Sequence, residues 1–397
     1  MNIMIIEKSL SGGGAERVAT NLASCLSKTE DVILVVFNAR NNTYGSTVKT
    51  IDLSMPENKG LLKILWHMKA RNKVKKLKKK YQITHSISFM AEPDLANVTS
   101  KGNEKVIISV RNKHSSSSPT KFHFYKNKWV FGQADAIVAI SKMVKQDLIK
   151  SFGIKDSIIT SVYNPCYIDI IQKRIEEDIM NENEKAFFVK NKGKIAITVG
   201  RLEPQKGQWH LIRAFGTVVD KIPDAKLVIM GQGSEKLYLE NLIEDMKLGN
   251  NVLLFGYKAN PYPYLASSDL FVFSSVFEGL GNILVECMAC RVPVISSDYQ
   301  YGARELLAPG ENISNTTNNI EYAEYGVLVP PMDGKKLTSD EPLTHSELCL
   351  SDAIVKLLSD NELRNKYKIQ IEKRGKDFSP ENITNQWLKI LRGMSED

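Results

Sequence analysis

The sequence predicts an α/β protein of two doubly wound domains facing each other across a cleft. Three observations predict it. The chain has 397 residues, a length that favours two domains over one. Short β-prone apolar runs alternate with helical stretches, the pattern of parallel sheets with right-handed crossovers. The alternation occurs twice, in two series separated by a turn and a polar segment.

In the first series the strands are "NIMIIE", "DVILVVFN", "HSISFM", "KVIISV" and "AIVAIS". Each is almost continuously apolar, as expected of strands covered on both faces. Asn164-Pro165 in "SVYNPC" is a turn signal that ends this series. The polar segment "QKRIEEDIMNENEK" reads as a surface helix at the junction. The second series supplies "KIAITVGR", "AKLVIMGQG", "NVLLFGY", "DLFVFSS" and "VPVISSD". The stretch "PPMDGKKLTSDEPLTHSELC" reads as a long surface loop before the last helices.

Composition narrows the class. Hydrophobic residues make up 43% and charged residues 25%, ordinary for a chain with a real core. The net charge of +8 favours anionic partners. No aromatic-basic motif supports nucleic acid among them. Five cysteines in so long a chain do not suggest a disulfide framework. "MNIMIIEKSL" is too short in its apolar run for a secretory signal. No window approaches the roughly 18 apolar residues of a membrane span. A cytoplasmic protein is the expectation.

Three glycine-bearing turns then carry the chemistry. "SGGGAERV" follows the first strand, with Gly12, Gly13 and Gly14 at the start of an amphipathic helix. Glycine lets backbone approach a ligand, and a helix start offers amides to an anion. A plain strand-to-helix turn is the other reading. The dinucleotide pattern G-x-G-x-x-G is not met. In "VGRLEPQKGQ", Arg201 and Lys206 lie in the loop after the first strand of the second series. Two fixed cations there can neutralise a diphosphate, Arg by a fork and Lys as a point charge; a solvated charge pair is the alternative. "MGQGSEK" reads as a structural turn.

"FEGLGNILVE", Phe277 to Glu286, is the third. Its glycines sit where a strand ends and a helix begins near Asn282, the edge at which open α/β sheets bind ligands. Glu278 and Glu286 bracket seven residues. A carboxylate accepts only, so it suits pairs of hydroxyls. Two carboxylates with helix amides between them can hold two diols and a phosphate: the sugar, diphosphate and ribose of a nucleotide-sugar. Otherwise Glu278 is a helix cap and Glu286 a surface residue. "CMAC", Cys287 to Cys290, lies inside this helix and reads as small buried packing.

"GRLEPQKG", "FEGLGNILVE" and "RVPVISSD" together closely resemble glycosyltransferase family four, the retaining enzymes of the GT-B fold. "SGGGAERV", "NPCYID" and "YGVLVPP" extend the resemblance over nearly the whole chain. It implies two Rossmann-like domains: an acceptor domain over 1–165, to which a last helix at about 378–397 returns, and a donor domain over 166–377. It implies that Gly13 and Gly14 contact the donor and that Arg201 and Lys206 hold its diphosphate. Glu278, with the amides of Gly279, Leu280, Gly281 and the helix start at Asn282, would hold the transferred sugar. Glu286 would bind ribose, with the base near Tyr257 and Lys258. Leu280-Gly281 departs from the aromatic plus Gly or Pro of many relatives, which leaves the sugar open. In the first domain Arg111, Asn112 and His114 follow "VIISV"; the "RN" pair resembles a branch that adds sugars to lipid-linked glycans, and favours Arg111 and Asn112.

The implied activity is retaining transfer of a hexose or N-acetylhexosamine from a nucleotide-sugar, a UDP-sugar by expectation, to a glycan acceptor on a lipid. No cofactor or metal is expected: the D-x-D triplet of many metal-dependent glycosyltransferases is absent, so charge neutralisation falls to Arg201 and Lys206. A nucleotide-sugar 2-epimerase and a non-catalytic sugar-nucleotide binder are the alternatives. From Leu61 to Lys80 the chain holds nine Lys or Arg and no acid. Its front half is apolar, with Leu61, Leu65, Met68 and Trp66. Lys75, Lys76, Lys78, Lys79 and Lys80 are read as contacts to an anionic membrane or acceptor pyrophosphate, placing the enzyme peripherally on the inner face of the cell membrane. A helix packed on the first sheet is the other reading.

Overall fold

A computed structural model of the chain describes every residue except 11–13, 40–46, 57–62, 113–119, 300–301, 311–312 and 395–397. It divides into two compact units, Met1–Pro165 with Pro380–Asp397, and Cys166–Ser379.

Unit 1 runs β1 (Asn2–Glu7), α1 (Gly14–Leu26), β2 (Asp31–Val36), β3 (Lys49–Asp52), α2 (Lys63–Lys80), β4 (His85–Phe89), α3 (Ala91–Thr99), β5 (Lys105–Val110), α4 (Lys121–Gly132), β6 (Ala136–Ala139), α5 (Lys142–Phe152) and β7 (Ile159–Ser161). The sheet order is β3-β2-β1-β4-β5-β6-β7, parallel throughout. The order reverses between β1 and β4, the topological switch point. Alternate residues of β1 go to opposite faces, as a pleated strand requires. Ile3 and Ile5 pack in one core with α1, Met4 and Ile6 in the other with α2.

Unit 2 runs α6 (Ile168–Ile175), α7 (Glu182–Lys190), β8 (Ile195–Val199), α8 (Gln208–Lys221), β9 (Lys226–Met230), α9 (Lys236–Asp245), β10 (Val252–Gly256), α10 (Tyr262–Ala266), β11 (Leu270–Phe273), α11 (Asn282–Ala289), β12 (Val294–Ser297), α12 (Ala303–Leu307), β13 (Glu321–Tyr322), β14 (Val327–Val329), α13 (His345–Ser359) and α14 (Asn361–Gly375). The order is β10-β9-β8-β11-β12-β14-β13, with only β13 antiparallel among the described pairs. Its switch point lies between β8 and β11. The chain then returns to unit 1 in α15 (Pro380–Gly393). There Ile383, Trp387, Leu388 and Leu391 enter the core formed by α1 and β1.

The ten strands read from the sequence are all present, and the structure adds β3, β7, β13 and β14. The single junction helix is corrected to two. α6 ends at Ile175, and α7 starts behind an Asn181–Glu184 capping box. Of the stretch read as surface loop, 330–344 is loop, but pinned loop, while its last five residues, His345 to Cys349, are corrected to the first turns of α13, behind a Thr344–Glu347 capping box. Trp209 donates to Lys335 O at 2.8 Å and Arg213 to Glu341 O and Pro342 O at 3.0 and 2.9 Å. Gly231 and Gly233 are structural: a Cβ on Gly231 would lie 1.8 Å from Gly200 O, and one on Gly233 2.3 Å from Leu202 O.

Lys78 is a second correction. It is not part of an exposed basic surface, being only 5% exposed. It donates to Asn97 O at 2.9 Å and pairs with Glu104 at 2.7 Å. Burial pushes its amine down to about 8, against the pull of Glu104. The helical period explains it: Ala70, Val74 and Lys78 are the positions of α2 that face the sheet. Lys75, Lys76, Lys79 and Lys80 are exposed.

Candidate active site

In unit 2 the loops after β8 and β11 meet at the switch point, and they carry the residues that the motifs singled out. Lys206 Nζ lies 2.6 Å from Glu278 Oε1, and both are largely buried. Ser275 Oγ donates to the same oxygen at 3.1 Å. The ammonium also stands 4.9 Å over the Phe273 ring, a cation–π contact. Gln205 ties the two loops together. Its carbonyl accepts from Val276 N at 2.9 Å, and its amide donates to Phe277 O at 3.0 Å. Ser274 Oγ donates to Lys206 O at 3.1 Å. Gly207, at φ 57°, permits this approach, since a Cβ there would lie 2.6 Å from Ser274 O.

Arg201 is exposed on the rim of the same loop. Its backbone carbonyl accepts from Gln208 Nε2 at 2.9 Å, and its guanidinium lies 3.5 Å from Gln205 Oε1. Leu280 is buried, and its carbonyl accepts from Tyr299 Oη at 2.9 Å. Gly281 turns the chain into α11 in the left-handed region at φ 83°, and a Cβ there would lie 2.4 Å from Tyr299 Oη. α11 begins at Asn282, with Gly279 and Gly281 at its amide end. Glu286, one turn inside, is half-buried. The neighbouring thiols of Cys287 and Cys290 are pushed up by burial first and by other charges, Glu286 among them. That suits inert packing rather than thiolate chemistry.

After β10, Tyr257 is exposed while Lys258 is engaged: it pairs with Glu184 at 2.7 Å, and Tyr264 Oη donates to the other Glu184 oxygen at 2.9 Å. The sequence therefore brings Lys206 and Glu278 together, sets Arg201, Asn282 and Glu286 on the same loops and helix, and ties Lys258 to α7. It gave no weight to Gln205, Ser275 or Tyr299. Their only signal was position at the carboxyl ends of β8, β11 and β12.

In unit 1, Gly13 and His114 lie outside the described residues, and Gly14 opens α1. Arg111 turns inward. It donates to Asn164 Oδ1 and to Ser109 Oγ, and lies 5.6 Å from the Phe89 ring. Burial lowers its basicity to about 10, and Glu7 opposes that shift. Asn112 is exposed. Glu7, at the end of β1, is fully buried, and burial raises its carboxyl well above the usual range. The sequence reading passed over it because it sits inside an apolar strand.

Residues 180–326 match the family described as "Glycosyl transferases group 1", and residues 12–169 match "Glycosyltransferase Family 4". A 4-alpha-N-acetylgalactosaminyltransferase of Campylobacter jejuni is 30% identical over 97% of this chain and 98% of its own. Its name gives its acceptor as N-acetylgalactosamine-N,N'-diacetylbacillosaminyl-diphospho-undecaprenol. The chain belongs to the family 4 glycosyltransferases.

An uncharacterized glycosyltransferase of Methanocaldococcus jannaschii is 36% identical over 73% of this glycosyltransferase and 72% of its own length. Among solved structures, Anabaena HepE in complex with UDP superposes with a TM-score of 0.75, covering 99% of this chain and 100% of that one at 18% identity. The two doubly wound units of this glycosyltransferase are thus those of the GT-B fold.

Proposed function

We propose that the glycosyltransferase moves a hexosyl or N-acetylhexosaminyl group from a UDP-sugar, with retention of configuration, to a glycan carried on a lipid. The observation that carries this reading is the Lys206–Glu278 pair at the switch point of unit 2, beside the amide end of α11. Without ligand the two neutralise one another. With a nucleotide-sugar, Lys206 turns to the diphosphate with Arg201, and Glu278 accepts from sugar hydroxyls. Glu286 takes the ribose and Tyr257 the base. Solved complexes of HepE with UDP and with UDP-glucose support the donor class. The diphospho-undecaprenol in the Campylobacter relative's name supports the acceptor class.

In this scheme the bond from the anomeric carbon to the diphosphate oxygen breaks. The acceptor oxygen bonds to that carbon on the same face, and its proton passes to the departing diphosphate. Arg201, Lys206 and the α11 dipole stabilise the charge that grows there. Their two positive charges make a metal unnecessary, so transfer continues in a chelator. We further propose that α2 attaches the enzyme to an anionic membrane through Lys75, Lys76, Lys79 and Lys80. Such attachment is reversible and weakens as salt screens it. Among the described residues no helix is long and apolar enough to cross a membrane.

A panel of nucleotide-sugars read by thermal shift and calorimetry tests the donor. Anomeric couplings in the product, read by NMR, test the stereochemistry. A UDP-sugar raises the melting temperature and the product keeps the donor's configuration. An inverted product, or a panel in which no UDP-sugar binds, overturns the reading.

A further inference from the structure

The outward face of α4 is a feature of unit 1 that the transfer reaction leaves unused. Its sequence, KFHFYKNKWVFG, holds three lysines and no acid. Phe124 and Phe131 turn inward onto Phe152, at 4.6 and 5.5 Å between ring centroids. Phe122, Tyr125 and Trp129 turn outward and are 74%, 65% and 51% exposed. At 3.6 residues per turn these three fall within an arc of about 60°. Lys121 and Lys128 flank the arc on one side and Lys126 on the other. The helix does not need a partner to form: Thr120 caps it, accepting from His123 N. Three large aromatic side chains left in water on one preformed face mark a contact surface.

The neighbours indicate what covers it. α3 packs against both α2 and α4, which places the three helices in one layer. The charge of Lys126 reaches His67 on α2, whose basicity burial lowers first. The outward residues of α2 in that layer are again apolar and cationic: Ile64, Leu65 and Met68 with Lys63 and Lys69. A protein partner would have to meet lysines on both sides of the arc, with Glu92 of α3, half-buried and paired with Lys8, the acid that also reaches His67. An anionic bilayer meets those lysines with phosphates, and Trp and Tyr are suited to that boundary by their polar tips.

We propose that α4 is an interfacial insertion helix, lying in the membrane plane with Phe122, Tyr125 and Trp129 bedded at the headgroup–acyl boundary and its lysines on lipid phosphates. This rests on the membrane attachment proposed above and extends it from an electrostatic contact to an insertion.

The test uses the full chain and vesicles of phosphatidylglycerol and phosphatidylcholine. Trp129 emission is taken as the difference between wild type and Trp129→Phe. It shifts to the blue on binding and is quenched by brominated acyl chains. The triple variant Phe122→Ser, Tyr125→Ser, Trp129→Ser, with an unchanged melting temperature, loses at least about tenfold in partitioning. It does so both at low salt and at about 0.5 M, where charges are screened within a few ångström. Replacing Lys75, Lys76, Lys79 and Lys80 by Gln weakens binding at low salt only. Unquenched Trp129 on vesicle-bound protein, or unchanged partitioning of the triple variant, overturns the insertion and leaves the α2 attachment standing. If the wild type ignores anionic vesicles, both fall. If the triple variant turns a lipid-free oligomer into a monomer, the face belongs to a second copy and the insertion is wrong.

Discussion

Lys206 and Glu278 lie 2.6 Å apart, and the contact to one carboxylate oxygen leaves the ammonium further N–H donors for a diphosphate. Lys206→Ala is therefore expected to lower turnover by about 10²–10³ and donor affinity much less, because its partner charge grows at the transition state. Steady-state kinetics decide it: a rise in KM at normal turnover contradicts the role. Glu286→Gln is expected to weaken donor binding by roughly 1–3 kcal/mol, the scale of a charged hydrogen bond made imperfect, and calorimetry with the free nucleotide measures it. Asp94 gives a pH prediction. It is buried in α3, with Oδ1 unpartnered among the described residues, and burial pushes its carboxyl up to about 8 from an ordinary 3.8. The folded state keeps the proton where the unfolded state loses it. Its contribution is thus fully present below the ordinary value and is lost as pH rises to about 8. The slope is about 1.4 kcal/mol per pH unit. Urea melts from pH 5 to 8.5 should show wild type losing stability relative to Asp94→Asn; parallel curves would sink the assignment. That Arg201, Lys206, Glu278 and Glu286 sit on the loops and helix at one switch point was legible because their places after apolar strands are written in the sequence. Gln205 and Ser275 were not, since a tie between two loops depends on which strands adjoin.

At the scale of the element, α2 shows how composition hides direction. Nine basic residues in a row of twenty read as one charged surface, yet the position that continues the buried Ala70–Val74 stripe is Lys78. Its partner Glu104 lies across a helix and a strand, a pairing no local pattern announces. Lys78→Met is expected to cost about 3–5 kcal/mol by leaving the buried Glu104 without its counter-charge. Lys75→Gln should leave the urea midpoint where it is. Equal midpoints for the two variants would show that Lys78 is not held as described. The central strands were legible because burial on both faces makes them continuously apolar. β3, "KTID", and β13, "EY", lie at sheet edges with little to bury, so their sequences carry no such signal. α4 was passed over for a related reason: its aromatics occur on both faces, and only the fold separates those that pack on Phe152 from those that remain in water.

At the scale of the molecule, each unit has its own core, and α15 belongs to the first. Ending the chain after Ser379 removes Ile383, Trp387, Leu388 and Leu391 from that core. At about 1.5–3 kcal/mol for each buried side chain, the loss rivals the whole stability of a domain. Unit 1 is expected to lose hydrogen-exchange protection while unit 2 keeps its own; protection retained in unit 1 would contradict the packing. The return of the last helix was legible from its amphipathic "NITNQWLKIL" and the resemblance together. The same return has a consequence during synthesis. β1 cannot complete its core until α15 has been made, whereas Cys166–Ser379, which lies between them in the chain, has a core of its own and can fold in the meantime. The half made first is finished last. A chain that stopped short of α15 would leave the apolar face of α1 uncovered and open to chaperones and proteases.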